Sequence, residues 1–181
     1  MDRPEPSLAY ELGQTAVGTT LAVLGELFGP GMGGNALAAE PRVSPYLTAA
    51  SRRMLTMGPF SLGEGARHGE VVATRTVADL CDAGVTLLAG SDASNVGTAH
   101  GATLHQELAL LVAAGLSPYQ ALIAATSLRP PADRFSLNDR GRLAPGLRAD
   151  LLLVDGDPTA DIDTTLDIAG VWLAGRRVPR R

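Results

Sequence analysis

The stretch Asp82-Ala83-Gly84-Val85-Thr86-Leu87-Leu88-Ala89-Gly90-Ser91-Asp92-Ala93 decides the reading of this chain. Val85 to Ala89 is a short, largely apolar run with a glycine on either side. It is too short for a helix and suits a strand buried on both faces, as in a parallel sheet or barrel. Upstream, Val71 to Asp82 carries apolar residues at Val72, Val77, Leu80 and Cys81, which predicts a helix. Gly84 then supplies its left-handed cap. A helix, a glycine cap and a buried strand make an α/β unit. In such folds the chemistry gathers at the carboxyl ends of the strands, and here that end is Gly90-Ser91-Asp92.

Working outward, Thr103 to Ala114 places Leu104, Leu108, Leu111 and Val112 on one helical face, and Gly115 ends it. Ser117-Pro118-Tyr119-Gln120 has the capping-box pattern with proline at the first turn, so a helix runs to about Ser127, before Pro130-Pro131. On the other side, Thr15 to Val23 is rich in β-branched residues and predicts a strand, with Leu24 to Phe28 turning helical. Gly29 to Asn35 reads as a flexible loop. Ser44-Pro45 predicts the start of a helix reaching Met54 or Met57, and residues 58–70 read as a loop. Beyond Gly141 the texture changes to turns and short strands: Ala149 to Val154, then Ile168 to Leu173 and Arg176 to Val178 around Ala174-Gly175, a hairpin. A domain boundary is expected near residue 140, dividing the chain into 1–140 and 141–181.

Composition limits the function classes. The 181 residues are 45 % apolar, which is globular, and only 4 % aromatic, so small aliphatic side chains must build the core. A net charge of −4, with basic residues concentrated only in the tail from Arg176 to Arg181, argues against nucleic-acid binding. The single cysteine, Cys81, excludes an internal disulfide and reads as a small buried hydrophobe. No run reaches ~18 apolar residues, so no membrane span is expected, and cytoplasmic location is the default expectation.

A carboxylate at Asp92 can bind a metal or accept a proton from a metal-bound water; equally, it can serve as a turn residue bonded to Ala93-Ser94-Asn95. Spacing alone leaves both roles open. The three histidines are His68, His100 and His105. His100 follows Asp92 in the same loop and could reach the same mouth. Its separation from His105 is not that of one helical face, so no local zinc pair emerges. Glu107 is expected to support the first turn of its own helix. Asp155 and Asp157 read as turn formers, and Ser91 and Ser94 lack the setting of a serine nucleophile.

Gly90-Ser91-Asp92-Ala93, His105-Gln106-Glu107-Leu108, Ala114-Gly115-Leu116-Ser117-Pro118 and Ala124-Ala125-Thr126 resemble, in that order, the last barrel strand and following helices of amidohydrolase-superfamily enzymes. Gly141-Arg142-Leu143-Ala144-Pro145-Gly146, Ala149 to Val154, Asp157-Pro158 and Val171 to Gly175 resemble the return into that family's small β-domain. The resemblance is to the imidazolonepropionase and prolidase-like branch. It implies an α/β fold: the C-terminal part of a (β/α)8 TIM-like barrel followed by part of a small β-sandwich. It also implies a divalent metal, commonly zinc, with Asp92 as metal ligand and proton carrier. The implied reaction is hydrolysis of a C–N bond in a small amide or cyclic amide.

The family's His-x-His pair, its lysine and its further histidines have no counterparts here; the chain has no lysine at all. A catalytic zinc takes about three protein ligands. Two barrel strands also cannot close a barrel. The expectation is therefore an incomplete chain lacking most metal ligands, partnered by a missing N-terminal half or by copies of itself. The alternative is a catalytically inactive remnant or interaction module of the same fold.

Overall fold

The computed structural model describes residues 16–28, 33–58, 64–127 and 137–179, with backbone alone for 64–68 and 70. Strand β1 is Ala16–Thr19, followed by helices α1 (Leu21–Phe28), α2 (Gly34–Ala39), α3 (Ala49–Leu55) and α4 (Glu64–Asp82). Strand β2 (Thr86–Ala89) leads to helices α5 (Ala102–Ala113) and α6 (Pro118–Thr126). Strands β3 (Leu151–Val154), β4 (Ile168–Leu173) and β5 (Arg176–Arg177) complete the order.

β1 and β2 pair in parallel, with Ala16 opposite Thr86 and Thr19 opposite Ala89. Helices α4, α5 and α6 pack around them. Leu21, Val77, Leu80, Val85, Leu87, Leu108, Leu111 and Leu116 form one buried cluster with Ala121 and Ala124. This is the small-aliphatic core that the composition required. Burying a leucine such as Leu111 stabilises the fold by about 1.5–3 kcal/mol. Both helix–glycine junctions close as expected. After α4, Gly84 N–H donates to Cys81 O at 2.9 Å and Val85 N–H to Leu80 O at 3.0 Å. After α5, Gly115 and Leu116 repeat this pairing with Val112 and Leu111.

A separate antiparallel sheet has the order β3-β4-β5. Its hairpin turns at Ala174-Gly175, both at positive φ, as a two-residue turn of this twist demands. Asp150 braces it by accepting the Ala174 N–H at 2.7 Å. β3 lies at the edge with Leu152 and Leu153 half exposed, so successive residues on opposite faces of the strand are uncovered. Among the described residues no helix is long and apolar enough to cross a membrane.

Four local expectations are corrected. The β-branched run ends as a strand at Thr19, and α1 begins at Leu21 rather than after Val23. The cause is a carboxylate, Glu107, brought in from 85 residues away to accept the Ala22 N–H. A helix, α2, opens at Gly34 inside the expected loop, of which residues 29–32 lie outside the described residues. The single helix expected from Ser44 is split. Ser44–Tyr46 is one 3-10 turn, Leu47 is extended, and Thr48 starts α3 by accepting the Ser51 N–H at 3.0 Å. Finally, α4 begins at Glu64, not Val71, running through Gly65 and Gly69. Each glycine costs a helix only about 1 kcal/mol, which packing of Val77 and Leu80 outweighs. The rest of that loop, residues 59–63, lies outside the described residues.

Candidate active site

Gly90 N–H donates to Thr19 O at 3.0 Å, so the carboxyl ends of β1 and β2 are tied side by side. Two residues on, Asp92 takes φ 46°, a left-handed conformation that aspartate tolerates better than most residues. Its carbonyl accepts the Asn95 N–H at 3.2 Å, and its carboxylate Oδ2 accepts Asn95 Nδ2 at 2.9 Å. The side chain is exposed and free to meet a solute. Asp92 thus forms the turn that the sequence allowed, and its carboxylate stands just past a strand end.

The loop beyond Asp92 is anchored by a buried acid, Glu26. Glu26, 2 % exposed, accepts the Gly34 N–H at 2.9 Å. Three glycines wall it in. A Cβ on Gly97 would fall on Glu26 Cγ, 2.7 Å from its Cβ and Cδ, and a Cβ on Gly58 would lie 2.9 Å from its Oε2. Gly34 is itself confined by Leu55 O and Gly97 O. Gly97 N–H reaches Met54 O at 3.0 Å, which fixes the Asp92 loop to the end of α3.

Glu107 departs from its expected role. It is fully buried, and its Oε2 accepts the Ala22 N–H at 2.8 Å, so it serves the first turn of α1 rather than that of its own helix. The Leu21 N–H and the Thr19 hydroxyl also favour its ionised form, but burial dominates and pushes its pKa above the usual carboxylate range. The sequence carried a signal for this, because Glu107 borders the arc of Leu104, Leu108 and Leu111, next to Leu111, rather than lying on the opposite face. No local signal exposed Glu26, whose glycine walls come from three separate segments.

His100 and His105 face elsewhere. Both line a cavity of about 790 Å³ between α5, α6, the Arg42–Ser51 segment and the antiparallel sheet, and Asp92 is not part of its wall. His105 Nδ1 lies 3.0 Å from Thr165 Oγ1. Burial, helped by the nearby Arg42 charge, lowers its pKa and favours the neutral ring. Arg42 is itself occupied by Glu40 at 2.9 Å and Asp167 at 3.2 Å. The His68 side chain lies outside the described residues. Among the described residues no group of three His, Cys, Asp or Glu side chains is placed to hold a metal ion.

Residues 50–178 match the model of the amidohydrolase family. The chain belongs to the amidohydrolase family. Amidohydrolase relatives include an imidazolonepropionase of Deinococcus deserti, 40% identical over 103 residues, which are 55% of this chain and 25% of that protein. An adenine deaminase of Methanoregula boonei is 52% identical over 60 residues, 33% of this chain and 10% of that one. Among solved structures, a Xaa-Pro dipeptidase with methionine bound in its active site superposes with a TM-score of 0.63 at 21% identity, covering 98% of this chain and 37% of that one. The family match bears out the amidohydrolase resemblance; the imidazolonepropionase is one of its relatives, and the dipeptidase shares the fold. The chain spans a quarter or less of the length of these two curated relatives.

Proposed function

We propose that this amidohydrolase chain supplies the last-strand carboxylate of a site that hydrolyses C–N bonds in small amides or cyclic amides. The observation that carries the reading is Asp92: an accessible carboxylate just past the end of β2, oriented by Asn95. There it would accept a proton from the attacking water and return it to the leaving nitrogen. Support for the substrate class comes from the relatives' names, imidazolonepropionase and adenine deaminase. On the same reading, residues 1–140 are the C-terminal part of a TIM-like barrel and residues 141–181 the C-terminal strands of a composite β-sandwich.

A divalent metal such as zinc does not fit the described residues on their own. Asp92 is one donor, His100 and His105 line a cavity whose wall does not include Asp92, and a catalytic zinc takes about three protein ligands. We therefore place the remaining donors outside the described residues and route no step through a metal. The second reading, an inactive interaction module, is favoured by the half-exposed leucines along the β3 edge.

The test begins with the coding DNA upstream of Met1. A frame carrying His-x-His within ~250 residues, the length of a typical barrel, is expected. The protein expressed from it should hydrolyse members of a panel of cyclic amides and aminopurines, and Asp92→Asn should slow it about 10²–10⁴-fold. Absence of such a frame, or hydrolysis indifferent to Asp92→Asn, refutes the proposal and leaves the interaction module.

A further inference from the structure

We propose that Asn95 is a positioning residue that fixes the direction of the Asp92 carboxylate, with the buried Thr98 as its brace. The inference rests on reading Asp92 as the site carboxylate. Its own evidence is a short relay of hydrogen bonds. Asn95 Nδ2 donates to Asp92 Oδ2 at 2.9 Å and to Asp92 O at 3.0 Å. Both protons of one amide are thus spent on one residue, one on its carboxylate and one on its backbone. The link closes a ring across the side-chain torsions of Asp92, which an exposed side chain otherwise samples on the picosecond to nanosecond scale. The amide can stand only this way round, because its oxygen would face two acceptors. With Oδ2 held, Oδ1 accepts no hydrogen bond among the described residues and is the oxygen presented to a solute.

Asn95 is braced from below. Thr98 is fully buried, and Asn95 O accepts from it twice, from the N–H at 3.0 Å and from the hydroxyl at 2.8 Å. That hydroxyl has no other partner among the described residues, so its burial is offset by Asn95 O alone. The chain is tied on either side of Thr98. Gly97 N–H donates to Met54 O at 3.0 Å, and Ala99 N–H donates to Thr103 Oγ1 at 2.8 Å in the first turn of α5. The relay therefore runs from a floor shared by α3 and α5, through Thr98 and Asn95, to a carboxylate just past β2. The turn itself needs less. The Asn95 backbone N–H already closes it on Asp92 O at 3.2 Å, so the bond to Oδ2 adds the aim of the carboxylate.

The test is the rotamer of Asp92, read by NMR on the isotopically labelled 181-residue chain. The readout is the three-bond couplings of the Asp92 carboxyl carbon to its own amide nitrogen and carbonyl carbon. In the wild-type chain they should report a single rotamer. Asn95→Ala, at an exposed position, should replace it with an average over rotamers. Thr98→Val removes the hydroxyl, keeps the shape and should give the same averaging with Asn95 intact. Thr98→Ser keeps the hydroxyl and should retain the single rotamer, even as loss of a buried methyl lowers the urea midpoint. That rescue separates aiming the carboxylate from stability. Averaging already present in the wild type, or a single rotamer that survives Asn95→Ala, overturns the proposal. So does a single rotamer that survives Thr98→Val, or averaging in Thr98→Ser equal to that in Thr98→Val, because Thr98 then only packs. If Thr98→Val does not fold, Asn95→Ala carries the test. The couplings need no turnover, so they stand or fall apart from the hydrolytic reading.

Discussion

Substitution of Gly97 by alanine perturbs the loop that carries Asp92 at its tightest point. Gly97 has φ 72°, so alanine there bears a backbone penalty of about 1–2 kcal/mol. The new methyl would also meet Glu26, which cannot step aside cheaply. It is held by Gly34 N–H at 2.9 Å and flanked by the Gly58 backbone. Such overpacking costs about 1–3 kcal/mol, for a total of about 2–5 kcal/mol, a large share of the stability of a typical domain. Gly84 is the matched control: its φ is 75° and nothing lies within 4 Å of a Cβ there. Gly84→Ala should therefore cost only the backbone part. Urea denaturation followed by circular dichroism measures both. A cycle with Glu26→Gly isolates the contact: Glu26→Ala would leave a Cβ 2.7 Å from the new methyl, whereas removing the whole side chain should bring Gly97→Ala close to the cost of Gly84→Ala. Equal costs for the two glycines in the wild-type background would refute the account of the Glu26 slot.

Two further outcomes are expected. Ser117→Ala removes the acceptor for the Gln120 N–H and half of the capping box of α6, and should lower the stability measured in urea by about 0.5–2 kcal/mol. The raised pKa of Glu107 makes stability depend on pH. The folded chain keeps the proton to higher pH than the unfolded chain, so this contribution is full below the ordinary value of 4.5 and is lost as pH rises through the folded value. Urea midpoints across this range should show that slope, Glu107→Gln should remove it, and an unchanged slope would refute the assignment to Glu107.

The local sequence was most informative where both partners of an interaction lie within a few residues. The Gly84 and Gly115 caps, the Ser117–Gln120 box and the Ala174-Gly175 hairpin are all of this kind, and all formed as expected. It misled where a distant group decided the outcome. Thr19, Thr20 and Val23 favour a strand locally, but Glu107 supplies an acceptor that lets α1 start at Leu21. Thr48 competed with Ser44 for the start of α3 and won through Ser51, a choice that proline at position 45 obscured. At the candidate site, the place of Asp92 just past a strand end was legible because a glycine-bounded strand points to its own end. The cavity facing of His100 and His105 depends on how the antiparallel sheet packs against α5, which no spacing encodes.

Zinc content of the purified 181-residue chain tests the central claim most directly. If Asp92 is a single donor whose companions lie elsewhere, equilibrium dialysis against micromolar zinc should leave far less than one equivalent bound, unchanged by Asp92→Asn. One tightly held equivalent that Asp92→Asn abolishes would contradict the account, because it would mean that this chain assembles a metal site by itself.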